Sequence, residues 1–215
     1  MYKFVKRIMD IMGSLFLIIV TFFPMLIIAF LIWKEDRQSP IFVQVRMGLN
    51  EVPFKMYKFR SMTTNRKELD GKLSHDQMVT KIGKFIRKTS LDELPQIYNV
   101  FMGKMSFVGP RPWILQYYEW MTPIQKRRVS VRPGITGLAQ VRGRNGINVN
   151  KKIEYDLEYV NHIGLRTDLY IIKESIKEVL KETNAEITEK GITEEIEELK
   201  SNPKNRKKLK TKIKA

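Results

Sequence analysis

Apolar positions are unevenly spread along the chain. Residues 11–33 contain no charged side chain, and about 20 apolar residues suffice to cross a bilayer as a helix. Lys34, Glu35 and Asp36 follow at once. A secretory leader would instead have a shorter apolar core, about 7–15 residues, and a small-residue cleavage site. Pro24 lies mid-stretch, where a missing backbone donor predicts a kink or break in the helix. Lys3, Lys6 and Arg7 precede the stretch and a basic region follows it. Positive flanks favour the cytoplasm. Either the N-terminal cluster is translocated or both ends stay on one face, and the charge pattern leaves both open. Trp33 suits an interfacial anchor in either case.

Beyond residue 36 the pattern predicts an α+β, mostly helical domain with a short β-hairpin. Residues 41–46 and 53–62 read as strands around Gly48-Leu49-Asn50-Glu51. Residues 65–74 are polar, helix or loop. Residues 77–88 read as a basic helix, with Val79, Ile82 and Phe85/Ile86 at helical spacing. A helix start is expected at Ser90. Residues 113–120 are rich in aromatics: Trp113, Tyr117, Tyr118 and Trp120 suit either a membrane-interface element or a buried core. Thr122-Pro123 has the form of a helix cap with proline at the first position. Residues 151–160 are helical in pattern. Thr167 is positioned to cap a last long helix whose apolar face would be Leu169, Ile172, Ile176 and Val179/Leu180. Three segments result: a membrane helix (1–36), a domain (37–183) and a charged tail (184–215). In the tail, residues 186–199 are acidic with Ile192, Ile196 and Leu199 at roughly helical spacing, and residues 201–215 are basic. The basic part reads as solvated and disordered, or as attracted to anionic lipid.

Charge sharpens this picture. The 215 residues carry a formal net charge of +16, which implies an anionic partner: nucleic acid, a lipid surface or a phosphorylated substrate. There is no cysteine, so disulfides, a thiolate nucleophile and cysteine-held zinc are excluded. His75 and His162 are the only histidines, too few for a multi-histidine metal centre.

The candidate chemistry centres on Thr89-Ser90-Leu91-Asp92-Glu93-Leu94-Pro95-Gln96. Taken alone, Ser90-x-x-Glu93 is a capping box, and both carboxylates suit a helix N-terminus. Its company points elsewhere. Arg87 and Lys88 lie just upstream, Arg111 sits in a Gly-Pro-Arg-Pro loop, and Arg132 and Arg144 bracket a glycine-rich loop. Arginine forks match phosphate oxygens, and glycines let backbone amides approach them. A diphosphate would need such a set, while a carboxylate pair can hold Mg²⁺ or attack phosphorus.

These residues also resemble a family. Lys6-Arg7-x-x-Asp10 before an apolar helix with a central proline, Tyr57-Lys58-Phe59-Arg60-Ser61-Met62, the Asp92-Glu93 segment, Phe107-Val108-Gly109-Pro110-Arg111-Pro112 and Arg132-Pro133-Gly134-Ile135-Thr136-Gly137-Leu138-Ala139-Gln140 occur in order, with Gly143-Arg144-Asn145 after. Over residues 2–180 the chain is similar to the bacterial sugar transferases, the small monotopic polyprenyl-phosphate phosphoglycosyl transferases. The resemblance implies a re-entrant N-terminal helix broken near Pro24, with Phe23 where relatives often have serine. It implies a catalytic domain on the cytoplasmic face of the bacterial inner membrane. It implies transfer of a sugar 1-phosphate from a UDP-sugar to undecaprenyl phosphate, early in a surface glycan pathway. Asp92 would be the nucleophile and Glu93 its partner, with Mg²⁺ bridging the two and the diphosphate. Arg87, Arg111 and Arg144 would bind phosphate. Lys58, Arg132, Gln140, Asp156 and Asp168 are supporting candidates, Asp168 competing with a role as a helix cap. A homodimer is plausible for the family. A membrane-tethered nucleic-acid-binding protein or a basic adaptor is the competing reading of the charge, but no nucleic-acid motif is present, and no nucleic-acid partner is expected.

Overall fold

The computed structural model describes residues 1–63, 78–143, 147–181 and 192–202. The polar stretch 65–74, Arg144 and the basic end of the tail lie outside the described residues.

Helix α1 (Tyr2–Asp36) contains Pro24 and ends at Arg37, whose left-handed backbone (φ 57°) returns an amide hydrogen bond to the Trp33 carbonyl. At 1.5 Å per residue its 35 residues would measure roughly 50 Å if straight, against a hydrocarbon layer of about 30 Å. Its buried residues form two groups, Asp10 and Ser14, then Met25, Ile28 and Ile32, with none between. In that interval Phe16, Ile19 and Phe23 are more than 60% exposed. The first group docks by polar contacts. Arg7 donates to the Val100 and Phe101 carbonyls at 2.8 and 2.9 Å. Asp10 accepts from the Ser106 hydroxyl and Phe107 amide at 3.0 and 3.1 Å. The second group packs on Phe59 and Ile86, and Glu35 accepts from the Lys81 and Ile82 amides.

Those two amides open α2 (Lys81–Lys88), where Thr80 is the N-cap and accepts from the Gly83 amide. The helix therefore starts later than residue 77, and Glu35 favours its positive end. Strands β1 (Ile41–Met47) and β2 (Pro53–Phe59) pair antiparallel, Ile41 with Phe59 through Met47 with Pro53. The hairpin is as the alternation predicts, but β2 stops at Phe59, and Met62 pairs only with Val79. Short α3 (Gln96–Phe101) is fastened to β2 by Asn99, which accepts from the Tyr57 amide and donates to the Lys55 carbonyl.

Strands β3 (Ser106–Val108) and β4 (Gly134–Thr136) form a small parallel pair. Between them lie α4 (Gln116–Trp120) and α5 (Pro123–Lys126), the latter opened by a reciprocal Thr122/Gln125 capping box. Helices α6 (Leu138–Gly143), α7 (Val149–Asn161), α8 (Leu165–Lys181) and α9 (Ile192–Ser201) complete the described fold. Trp113, Tyr117 and Tyr118 are core residues, less than 10% exposed, packed with Met121, Ile153 and Leu199. This corrects the membrane-interface reading of that aromatic cluster. Part of the cover comes from α9. Leu199 is fully buried, Lys200 lies 4.5 Å from the Trp120 ring centre, and Glu195 binds Lys152 at 2.6 Å and accepts from Tyr117.

Helix α8 departs from expectation twice. It begins at Leu165, so Thr167 lies inside it and donates to the His162 carbonyl instead of capping. Its inward face carries Asp168 and Ile171, whereas Leu169, Ile172 and Ile176 are exposed.

Candidate active site

Asp92 and Glu93 do not open a helix. Ser90 is left-handed (φ 55°), makes no side-chain cap, and leads into a 3₁₀ turn, Leu91–Glu93. Pro95 explains why: in a helix running on from Leu91 its nitrogen would have to donate to the Leu91 carbonyl, and proline has no N–H. The next helix starts at Gln96 with Pro95 as its N-cap. The capping-box reading is thereby corrected, and so is the expectation of a helix start at Ser90. Leu91 and Leu94 anchor the turn against the cluster of Met25, Ile28, Phe59 and Ile86. Two apolar pins thus leave the intervening carboxylates facing β2.

There Lys58 bridges the pair, 2.7 Å from Glu93 Oε1 and 3.7 Å from Asp92 Oδ2. Arg111 donates to the same Glu93 oxygen at 2.9 Å, and its side chain is 41% exposed. Burial alone would raise Glu93, but Arg111 and Lys58 outweigh it and hold the carboxyl at about 2. Burial also raises Asp92, and here it prevails: Lys58 pulls back, Glu93 pushes further up, and Arg111 and Arg87 oppose. Neighbouring carboxylates are thus driven apart, one locked as an anion and one more basic than usual. Arg87 donates to the Ser61 hydroxyl at 2.8 Å and is near enough to act on Asp92.

Arg111 is held from behind. Its carbonyl accepts from Arg128 at 2.7 Å. Arg128 is 1% exposed, lies 4.1 Å from the Trp113 ring centre and donates through Nε (2.9 Å) and a terminal nitrogen (2.5 Å) to Asp156, itself 2% exposed. Asp156 therefore sits behind the site, not in it. Arg128 escaped the sequence reading, although a signal existed: Asp156 shares the Val149/Ile153 stripe of α7, and a carboxylate on a buried stripe demands a buried cation.

In the glycine-rich loop the glycines approach one another. A Cβ on Gly134 would lie 2.1 Å from the Gly109 nitrogen, and one on Gly137 2.2 Å from the Gly109 carbonyl oxygen. The Gly109 amide donates to Thr136, and the Gly134 amide to Pro110. The seam aims the Pro110-Arg111 turn. Gln140 braces it through the Ile135 carbonyl. Arg132 turns instead to the Gly103 carbonyl. Asp168 is no cap: it accepts from Tyr2 and Lys6, both at 2.5 Å, and from Tyr159 at 2.8 Å, tying α8 and α7 to α1. The structure thus gathers Lys58, Arg87, Asp92, Glu93 and Arg111; Asp156 and Gln140 brace the Arg111 turn from behind, whereas Arg132 and Asp168 lie away from the dyad, at the first turns of α1.

Lysine and arginine thus frame the carboxylate pair. An apolar groove of about 380 Å³ runs between α1 and α3 past Met25, Leu26, Ala29, Phe59 and Tyr98 and includes Pro95, two residues from Glu93. The chain belongs to the bacterial sugar transferase family, whose model matches residues 1–182. It is 41% identical over 175 residues to the uncharacterized sugar transferase EpsL of Bacillus subtilis, covering 81% of this chain and 87% of that one. It is 43% identical to the UDP-glucose:undecaprenyl-phosphate glucose-1-phosphate transferase of Klebsiella pneumoniae, covering 78% of this chain and 38% of that one. It is 36% identical to the undecaprenyl-phosphate galactose phosphotransferase of Salmonella typhimurium, covering 85% and 42%. The chain spans less than half the length of these last two relatives. Helix α9 lies beyond the matched residues.

Proposed function

We propose that the protein transfers a sugar 1-phosphate from a UDP-sugar to undecaprenyl phosphate and releases UMP, through a covalent intermediate on Asp92. The carrying observation is the dyad itself: a basic, partly open Asp92 beside an anionic Glu93, under Arg111 and Lys58, with an apolar groove that includes Pro95 two residues on. The names of the Klebsiella and Salmonella relatives support the substrate classes.

In this reading an Asp92 carboxylate oxygen attacks the β-phosphorus. The bond to the bridging oxygen breaks, UMP leaves, and a sugar-phosphoryl-aspartate remains. An oxygen of the acceptor phosphate then attacks the same phosphorus and expels Asp92 as carboxylate, giving a polyprenyl diphosphate sugar. A carboxylate approaches an anionic diphosphate only where repulsion is cancelled. Arg111 and Arg87 supply fixed positive charge in a water-poor site, needing little reorganisation. Burial makes Asp92 the stronger nucleophile, and Lys58 opposes that rise, favouring the carboxylate form. Glu93 orients both cations. The groove takes the first part of the polyprenyl chain.

The dyad suits Mg²⁺. Its oxygens are hard donors, and no cluster of three potential ligands occurs among the described residues, so remaining ligands would come from the diphosphate and water, as this ion prefers. Asp92 and Glu93 would hold it, and bound there it neutralises charge on the diphosphate.

A re-entrant α1 with both ends cytoplasmic is part of this proposal. Its support is that Arg7 and Asp10 at one end, and Glu35 at the other, grip the same domain while the apolar middle touches little of it. Exposed Leu169, Ile172 and Ile176 on α8 give a second apolar face for the bilayer surface.

The test is intact mass after incubation with UDP-sugar and Mg²⁺ without lipid. A sugar-phosphate adduct is expected on the native chain and none on Asp92→Asn, which should also lose turnover. Full turnover by Asp92→Asn would overturn the covalent step.

A further inference from the structure

We propose that a second cavity, beneath the first turns of α1, is an anion site that takes a phosphoryl group and is separate from the dyad. It encloses about 250 Å³ and is lined by Lys3, Lys6 and Arg7 of α1, by Asp10, by Asn50 of the hairpin turn and by Arg132. Asn50 precedes β2, and from Pro53 to Lys58 is five residues, roughly 16 Å of strand. The cavity therefore lies at the opposite end of the hairpin from the carboxylates.

Its charges do not cancel internally. Asp10 spends one carboxylate oxygen on Ser106 and Phe107, and Asp168 spends both of its own on Lys6, Tyr2 and Tyr159. Against these two anions stand four cations. Arg132 commits only its Nε, to the Gly103 carbonyl at 3.0 Å. Its two terminal nitrogens, like the Lys3 ammonium, have no partner among the described residues. Arg7 reaches the same stretch of chain from the other side, on the Val100 and Phe101 carbonyls. Two guanidinium groups brought together repel, and an anion between them removes that repulsion and accepts their remaining donors. The surplus of two positive charges is more than enough to balance the single negative charge of a phosphodiester headgroup.

The source of the phosphoryl group follows from where α1 goes next. The uncharged stretch begins at Ile11, directly after Asp10. On the membrane reading above, on which this step rests, the cavity opens at headgroup level, and the ligand is the headgroup of an anionic phospholipid. A choline headgroup would bring a fifth cation and is disfavoured.

The full chain in detergent, delipidated, is titrated with phosphatidylglycerol, phosphatidylcholine and inorganic phosphate, and bound species are counted by native mass spectrometry. One tightly retained phosphatidylglycerol is expected under conditions that strip phosphatidylcholine. Lys3→Gln, an exposed position, and Arg132→Lys, which keeps a donor for Gly103, should together weaken retention on the order of tenfold. Equal retention of the two lipids, or retention unchanged in both variants, would overturn the site. Inorganic phosphate binding as tightly as phosphatidylglycerol would overturn the headgroup source. Formation of the Asp92 adduct is followed in the same samples: adduct without lipid selectivity sinks this inference alone, and selectivity without adduct sinks the catalytic reading alone.

Discussion

Converting Asp156 to Asn removes one charge from the most deeply buried ion pair described. Arg128 would keep its place, 1% exposed, with no anion to balance it. Breaking such a pair by neutralising one partner costs about 3–5 kcal/mol. For a chain of this size each kcal/mol is worth about 2–4 °C, so the melting temperature should fall by roughly 6–20 °C. Tryptophan fluorescence is the natural probe, because Trp113 lies against Arg128. The double change Arg128→Met with Asp156→Leu separates stability from activity. Apolar replacement of a buried pair is often neutral or better, so melting should return to the native value or above. Activity should not return, because the Arg111 carbonyl has lost its donor. A displacement of about 1 Å in a positioning group can cost on the order of a hundredfold in rate, and the double variant is expected to be slower by tens-fold in kcat for sugar-phosphate transfer. A double variant with native kcat would refute the positioning role. An Asn variant melting within about 2 °C of the native chain, less than 1 kcal/mol, would refute the buried pair.

Three further outcomes are expected. Lys58→Met should move the acidic limb of the pH–rate profile to higher pH, since Lys58 lowers an Asp92 carboxyl already raised by burial; a limb that stays put or moves down would contradict that assignment. Gly134→Ala should destabilise by more than about 3 kcal/mol, because its methyl would fall 2.1 Å from the Gly109 nitrogen, whereas Gly164→Ala, whose nearest neighbour would be 3.9 Å away, should melt near the native temperature. Leu199→Ala should cost about 2–5 kcal/mol and raise protease sensitivity near α9 if that helix packs as described, and native-like melting would argue against it.

Long elements and local chemistry were legible in the sequence for physical reasons. An uncharged stretch of this length has few soluble fates, and alternation around a Gly-Leu-Asn-Glu turn specifies a hairpin. Thr122 and Gln125 form the reciprocal cap that their spacing allows. Ser90 and Glu93 have that spacing too, yet Pro95 and the burial of Leu91 and Leu94 override it. On α8 the spacing of Leu169, Ile172 and Ile176 was real, but periodicity does not say what covers a face, and the covered face belongs to Ile171. Lys58, Arg87 and Arg111, taken from separate motifs, do stand around the dyad. What stayed hidden were long-range pairings, Arg128 with Asp156 and Asp168 with Lys6 and Tyr2, because no local rule specifies which distant partner a buried charge will meet.

The seam at Gly109, Gly134 and Gly137 joins main chain to main chain. Arg111 leaves this seam two residues on, so the post that carries its guanidinium is made largely of atoms common to every amino acid. Exchanging side chains around the mouth of the site can reshape what fits there without shifting the hinge from which the arginine reaches. On the proposed function, recognition of a variable sugar and the grip of Arg111 on an invariant phosphate would in this way be mechanically uncoupled.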